Sequence, residues 1–226
     1  MLKLEDLKRD GWQSGINQII NCDCLEGLKS LPDGCVDCIV TSPPYWALRD
    51  YGVENAIGME KTLHDFVKNI CAVMAECKRI LKPTGTLWLN LGDTYNGAKQ
   101  GNTETKKNPN AVMSTFHKDK DKDKDIQDKC LLMIPARVAI AMCDDGWILR
   151  NDIIWHKSNA MPSSVLDRLT NKYEHIFFFT KNQKYYFDID KIRIPYEGNE
   201  PRPPGIVRNR EKGYNSKFGT LRREMD

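Results

Sequence analysis

An amphipathic helix pattern that runs directly into an apolar strand is the feature that most constrains the fold. Apolar residues recur at steps of three and four between Leu63 and Leu81, which is typical of a helix with one buried face. Lys82-Pro83-Thr84-Gly85 ends this helix, and Thr86 to Leu91 (TLWLNL) predicts a strand. Upstream, a short helix over Cys24 to Leu31 precedes a strand over Val36 to Val40. Such alternation predicts an α/β fold with a parallel sheet.

The same patterns predict further elements on both sides of this region. We expect Trp155 and the run Phe177 to Phe179 to lie in the core, as large aromatics usually do. The predicted elements are strands at Gln18 to Asn21, Gly146 to His156 and Glu174 to Thr180, a short strand at Lys184 to Asp188, and a helix at Leu131 to Cys143.

Length and composition exclude several classes of protein. The 226 residues, 40% hydrophobic and 29% charged, suit one globular domain, or one large domain with an appendage, and exclude wholesale disorder. The net charge of +3 does not by itself imply nucleic acid. No apolar run approaches the ~18 residues of a membrane span, and the first ten residues lack a signal-peptide core. We therefore expect a cytoplasmic protein.

The eight cysteines are interpreted as free thiols of an intracellular chain. Cys22-x-Cys24 and Cys35-x-x-Cys38 have a spacing that zinc sites use, but both pairs adjoin apolar runs rather than glycine-rich turns. We expect no metal.

Composition also divides the chain. Residues 93–128 are polar and include alternating lysines and aspartates over 118–125, which indicates a mobile loop within an α/β domain of residues 1–196. Residues 197–226 are rich in proline and have no apolar period, so they are interpreted as a linker or an unfinished segment.

Thr41-Ser42-Pro43-Pro44-Tyr45-Trp46 follows the apolar strand at its carboxyl end, where open α/β sheets place ligands. Two prolines remove two backbone donors, so the carbonyls of Ser42 and Pro43 are left as acceptors. With the Ser42 hydroxyl and the rings of Tyr45 and Trp46, this suits a planar group that carries an amine, such as a nucleobase. The alternative is a plain turn whose two aromatics pack in the core.

This segment resembles the catalytic motif of the DNA amino methyltransferases, in particular their permuted, β-type members. Further motifs match in the same order, over roughly residues 17–195. They are Asn21-Cys22-Asp23-Cys24-Leu25, Leu48-Arg49-Asp50-Tyr51-Gly52, Arg79-Ile80-Leu81-Lys82-Pro83, Leu91-Gly92-Asp93, Ile154-Trp155, Asp167-Arg168-Leu169-Thr170 and Lys184-Tyr185-Tyr186-Phe187-Asp188.

The resemblance implies a Rossmann-like sheet that uses S-adenosylmethionine to methylate an exocyclic amine of a base flipped out of double-stranded DNA. It implies a catalytic group of Ser42, Pro43, Pro44 and Tyr45, in which Ser42 and the Pro43 carbonyl accept from the amine and Tyr45 stacks on the base. Asp23 and Cys24 would lie against the cofactor.

Four further residues are candidates for contacts with the base or with phosphate: Trp46, Lys157, Asn159 and Arg168. For the last three, a solvated lysine and side chains that tie down a turn are equally open interpretations. Serine before Pro-Pro-Tyr favours cytosine N4 as the methylated atom, and adenine N6 is the alternative.

One family motif is missing. The permuted enzymes carry Phe-x-Gly-x-Gly near the carboxyl end for cofactor binding, and this sequence does not contain it. We therefore expect a permuted sheet that is incomplete at its carboxyl side, with residues 197–226 as a linker or the start of a target-recognition region. The chain would be a fragment, one subunit of a split enzyme whose second chain supplies the cofactor-binding half, or an inactive DNA- or partner-binding relic. The setting would resemble restriction–modification or phage self-protection.

Overall fold

The computed structural model describes residues 1–47, 52, 56–97, 123, 125–160 and 165–193. The chain divides into two units, Met1–Tyr186 and Phe187–Asp226. Most of the predicted loop at 93–128 and all of the segment at 197–226 lie outside the described residues, so the division at residue 196 stays a prediction. The described part of the second unit contains one 3₁₀ turn, Ile189–Ile192.

In the first unit, helices and strands mostly alternate along the chain. A small parallel pair, β1 with β2, precedes the main sheet. In chain order the elements are β1 (Leu2–Lys3), α1 (Leu4–Asp10), β2 (Ile20–Asn21), α2 (Cys24–Lys29), β3 (Val36–Thr41), α3 (Leu63–Ile80), β4 (Leu81–Leu91), α4 (Ile134–Asp144), β5 (Ile148–His156) and β6 (Tyr173–Thr180).

The main sheet has the strand order β3-β4-β6-β5. β3 and β4 run parallel, as predicted, and α3 provides the connection between them. β6 lies antiparallel to both β4 and β5. It can do so because no helix is needed to return the chain from β5 to a neighbouring antiparallel strand.

β4 begins at Leu81, five residues earlier than the predicted strand at Thr86. Val36 pairs with Leu81, and the register then shifts before Cys38 pairs with Thr86. Pro83 lies within this shifted stretch. Since a proline cannot donate to a strand ladder, an irregularity lets the strand continue past it.

Helices α3 and α4 cover one face of the sheet. α3 begins at the Thr62 cap, whose side chain accepts from the Asp65 amide, and it turns one apolar face inward. The predicted burial of Phe177 to Phe179 is confirmed. The core includes Phe66, Ile70, Met74, Leu87, Leu89, Leu91, Val138, Met142, Phe177 and Phe179.

The opposite face of the sheet is only partly covered. Trp88 stacks on Phe178 with ring centroids 4.3 Å apart, and Tyr185 packs edge-on against Phe178. Val40 is 78% exposed and Trp155 is 55% exposed. The prediction that Trp155 lies in the core is therefore wrong, because β5 is an edge strand of the described sheet and its residues after Ile148 are exposed.

The short strand predicted at Lys184 to Asp188 does not form. The Tyr186 amide instead donates to the Thr84 carbonyl, which ties this part of the chain to the start of β4.

Within the described residues, no helix has the length and apolarity needed to cross a membrane.

Asp93, just beyond β4, caps α4 from outside the helix. Its Oδ1 accepts from the amides of Ile134 (3.1 Å) and Thr94 (2.9 Å). The residue at the cap position itself, Met133, has a left-handed backbone and provides no side-chain cap. Burial raises the pKa of Asp93 above its ordinary value despite these hydrogen bonds.

Truncating a core ring should destabilise the first unit. Phe179 is fully buried and packs edge-on against Trp147. We expect Phe179→Ala to lower the free energy of unfolding by about 3–5 kcal/mol in urea denaturation. Ile140→Ala, at an exposed position of α4, should change it by less than about 0.5 kcal/mol. Equal effects of the two substitutions would contradict this core.

The raised pKa of Asp93 predicts a pH-dependent cost. The folded state holds the Asp93 carboxyl proton more tightly than the unfolded state does. The contribution of Asp93 to the free energy of unfolding therefore falls as pH rises from about 3.8 through the folded pKa. Asp93→Asn keeps a capping oxygen and removes the titration. The stability of this variant relative to wild type should therefore rise with pH over that window, measured by urea denaturation at several pH values. A difference that does not vary with pH would contradict burial of the carboxyl.

Candidate active site

The segment Ser42-Pro43-Pro44 leaves the sheet at the carboxyl end of β3, where the sequence predicts a ligand site. The parallel register pairs Thr41 with Leu89, so the next residues, Ser42 and Asn90, lie side by side. Pro43 and Pro44 have no backbone N–H and cannot extend the ladder. The chain therefore turns away from β4 at this point and exposes Ser42.

The Asn90 side chain connects three segments. Its Oδ1 accepts from Ser42 Oγ and from the Tyr45 hydroxyl, each at 3.2 Å. Its Nδ2 donates to the His175 carbonyl of β6 at 3.2 Å. A serine hydroxyl has one hydrogen and two lone pairs. With that hydrogen on Asn90, Ser42 presents only acceptors to a ligand.

The Tyr45 ring lies on the backbone of Gly92. A Cβ at residue 92 would approach the ring to 2.5 Å, so only glycine allows this contact without displacement. Burial, with a further contribution from the nearby Glu174 carboxylate, raises the pKa of Tyr45 to about 12. The hydroxyl is therefore protonated and can donate at neutral pH.

Ser42, Tyr45 and Asn90 form a hydrogen-bonded group, the Asn90 cluster. Glu174, at the start of β6, adds a carboxylate to this cluster. Its side chain is only 15% exposed and forms an ion pair with Lys157. Burial raises the pKa of Glu174, but the Lys157 ammonium and the nearby donor groups of Tyr45 and Asn90 outweigh burial and leave this pKa below its ordinary value.

Sequence reasoning missed both Asn90 and Glu174. The available signal for Asn90 was one amide in the otherwise apolar run TLWLNL, and for Glu174 a carboxylate ahead of IFFF. Neither residue type is unusual at a strand end, and the contacts depend on strand order. The chemistry of this cluster could not be predicted without knowing that β6 lies beside β4.

The structure places the three other candidates, Lys157, Asn159 and Arg168, in different surroundings. Lys157 joins the cluster through Glu174. Asn159 is exposed in the turn after β5. The Arg168 guanidinium lies 3.9 Å from the centre of the Tyr95 ring and donates to the Leu169 carbonyl.

Trp46 requires a correction. It is 1% exposed, and its indole N–H donates to the Glu60 carbonyl at 3.0 Å. A ring enclosed by the core in this way cannot stack on a base or contact DNA. The alternative interpretation of the motif, aromatics packed in the core, describes Trp46, whereas the Tyr45 hydroxyl lies in the Asn90 cluster.

Asp23 and Cys24 lie at the amino end of α2. Asp23 Oδ1 caps this helix by accepting from the amides of Leu25 (2.9 Å) and Glu26 (3.1 Å). Both cap bonds use one oxygen, so the second oxygen of this exposed carboxylate is an acceptor that a ligand can use. All eight cysteines are free, and the described residues contain no metal-binding group of His, Cys, Asp and Glu.

The contact of Tyr45 with Gly92 can be tested by a double-mutant cycle. Gly92→Ala should cost about 1–3 kcal/mol of stability, because its methyl group overlaps the ring. In the Tyr45→Ala background that cost should fall by at least about 0.5 kcal/mol, since the overlapping atoms are gone. Unfolding in urea measures all four proteins. A cost of Gly92→Ala that does not depend on Tyr45 would contradict the contact.

Comparison with known proteins gives a consistent result. The family described as DNA methylase matches residues 36–216, more than half of the chain. Type II methyltransferase M.XycI of Xanthomonas campestris pv. cyanopsidis is 46% identical over 194 residues, which are 85% of this chain and 62% of that protein. Type II methyltransferase M.SmaI of Serratia marcescens is 41% identical over 79% of this chain and 60% of its own length. The chain thus spans about 60% of the length of these curated relatives.

Among solved structures, PvuII DNA methyltransferase (cytosine-N4-specific) superposes with a TM-score of 0.53 and 21% sequence identity. The match covers 76% of this chain and 51% of that protein. At this identity the likeness shows the fold, and it confirms the expected methyltransferase-type α/β sheet. From the match to its family over most of its length, we conclude that this chain belongs to the DNA methylase family of amino methyltransferases.

Proposed function

We propose that the chain is the catalytic part of a site-specific DNA methyltransferase, which transfers a methyl group from S-adenosylmethionine to the exocyclic amine of a flipped base. The observation that carries this proposal is the hydrogen bond from Ser42 Oγ to Asn90 Oδ1. It leaves Ser42 as an acceptor beside two prolines that have no N–H. A substrate atom that donates hydrogen bonds, such as an amine, fits this edge, and a carbonyl does not.

The residues at this edge would act by positioning. Ser42 and the Pro43 carbonyl would accept the two amine hydrogens, and Pro44 would fix the turn that presents them. Tyr45, held over Gly92, would stack on the base. These contacts would keep the nitrogen lone pair directed at the incoming methyl, so the gain comes from orientation and electrostatic placement.

S-Adenosylmethionine supplies an electrophilic methyl group when it is bound. The ammonium, amine and hydroxyl groups of this cofactor can donate hydrogen bonds to an exposed carboxylate. Asp23 is such a carboxylate, and its second oxygen can accept them. We propose Asp23, with Cys24 beside it, as the part of the cofactor site that this chain contributes. Transfer would form a C–N bond as the S–C bond breaks, and the amine would release one proton to water at the exposed Ser42 edge.

Cytosine N4 is the favoured target. The group that faces the amine is the neutral Ser42, a weaker acceptor than a carboxylate. Adenine N6 is the alternative. An inactive fragment that binds DNA or a partner is the alternative outside this class.

We also propose that double-stranded DNA and a second chain are the partners, the second chain supplying the remaining cofactor-binding half. In the described sheet β3 is an edge strand, and its Val40 side chain is 78% exposed. Relatives have further sequence beyond the matched 62% of their length. An apolar strand edge of this kind is a site for pairing. Lys157, Asn159 and Arg168 remain candidates for contacts with DNA. We also propose that the protein is cytoplasmic.

Transfer of labelled methyl from S-adenosylmethionine to unmethylated DNA tests the function. We expect Ser42→Ala to lower kcat about 10²–10³-fold, as removal of one positioned hydrogen-bonding group does. Ser30→Ala, the same substitution at a serine that bonds only its own helix end, should leave kcat unchanged. Digestion of the product to nucleosides would identify the methylated base.

Two outcomes of that assay would contradict parts of the proposal. Equal activity of the Ser42 and Ser30 variants would contradict the role of Ser42. No label from a chain shown to be folded, either by itself or with a protein that carries Phe-x-Gly-x-Gly, would favour the inactive binding fragment.

A further inference from the structure

The Asn90 amide has two chemically different ends, and the structure surrounds them with different groups. Two hydroxyls, of Ser42 and Tyr45, lie at the oxygen end. At the nitrogen end lies the His175 carbonyl, which accepts at 3.2 Å. Glu174 precedes His175 and lies two residues before Ile176, the cross-strand partner of Asn90, so its carboxylate shares a sheet face with the amide. The Asn90 amide also helps to lower the pKa of Glu174. Neither the carbonyl nor the carboxylate can donate a hydrogen bond.

This asymmetry fixes the orientation of the amide. If the amide were rotated by 180°, Asn90 Oδ1 would face the Glu174 carboxylate and the His175 carbonyl. All three groups are acceptors, so no hydrogen bond would form and they would repel one another. The His175 carbonyl belongs to the β6 ladder and is neutral, whereas Glu174 carries a full charge. A hydrogen bond to an ionised acceptor is about twice as strong as one between neutral groups.

The orientation of the amide in turn sets the direction of the Ser42 hydroxyl. Because Oδ1 is presented to Ser42, the serine donates to it and turns its lone pairs outward. With the amide rotated, Asn90 would donate to Ser42, and the Ser42 hydrogen would be free to point at the substrate. The amine would then meet a donor instead of an acceptor.

We propose that Glu174 is a positioning residue, which acts through Asn90 to hold the Ser42 hydroxyl as an acceptor for the substrate amine. This inference rests on the proposed function. Lys157 has a supporting part, because its ammonium pairs with Glu174 and helps keep the carboxylate ionised. Glu174 itself need not touch the substrate.

Two substitutions separate hydrogen bonding by Glu174 from simple packing. Glu174→Gln retains an oxygen that can accept from Asn90 Nδ2, and Glu174→Leu retains only bulk. We expect Glu174→Leu to lower kcat for methyl transfer about 100-fold, with little change in the KM for DNA. Glu174→Gln should recover most of that loss. Asp152→Leu is the control, since Asp152 is a carboxylate on the adjacent strand that pairs with the His175 ring instead. It should leave kcat unchanged.

A second readout does not depend on activity. In wild-type protein the side-chain amide signals of Asn90, identified in ¹H–¹⁵N NMR spectra by their loss in Asn90→Asp, should titrate with Glu174. The transition should lie below the ordinary glutamate pKa, since the pKa of Glu174 is lowered. In Glu174→Gln this transition should disappear, while Asp152→Leu should retain it.

The two readouts separate the possible failures. Absence of methyl transfer by wild-type protein would contradict the proposed function, and the amide titration would still decide whether Glu174 acts on Asn90. Amide signals that are the same in wild type and Glu174→Leu would overturn the inference. So would equal kcat for Glu174→Leu and Asp152→Leu in an active enzyme.

Discussion

The parallel pairing of β3 with β4 is the constraint on which the site depends. Its register places Thr41 opposite Leu89, and this brings Ser42 within 3.2 Å of the Asn90 side chain. A slip of one residue would turn every side chain of β3 to the other face and separate the two residues. The buried face of β4, with Leu87, Leu89 and Leu91, holds the register because those side chains pack under α3 and α4. Stability of the core and geometry of the site therefore share one cause.

The two faces of the sheet differ in how far the rest of the chain covers them. One face is closed by α3 and α4, whose apolar sides match it. The other has Trp88 and Phe178 stacked together, with exposed apolar side chains such as Val40 and Trp155 at either edge of the described sheet. The exposed apolar side chains of the second face, together with relatives that are longer than this chain, support the proposal that a partner pairs with the β3 edge. Ser42, the proposed catalytic serine, directly follows that same strand.

Much of the architecture could be predicted from the sequence, because it depends on local patterns. The three- and four-residue period of α3 and the β-branched run of β3 each identify one element, and the two prolines mark where β3 must end. Ser42 and Tyr45 could be singled out for the same reason. The Ser42–Asn90 contact and the role of Glu174 depend on strand order, in particular on the antiparallel insertion of β6, which no local pattern indicates. Trp46 and Trp155 illustrate the same limit, since residue type and spacing made the first a candidate for contact with DNA and placed the second in the core, and the structure reverses both.

The central claim is that the Ser42 edge accepts hydrogen bonds and therefore selects an amine. The most direct measurement compares binding of the chain to three duplexes that differ only in one unpaired base: cytosine, 2-pyrimidinone, which lacks the amine, and uracil, which presents a carbonyl instead. Fluorescence anisotropy gives the three dissociation constants. The account predicts that cytosine binds most tightly and uracil most weakly, and that Ser42→Ala reduces the difference. Equal binding of the three duplexes by a folded wild-type chain would contradict an acceptor site at Ser42.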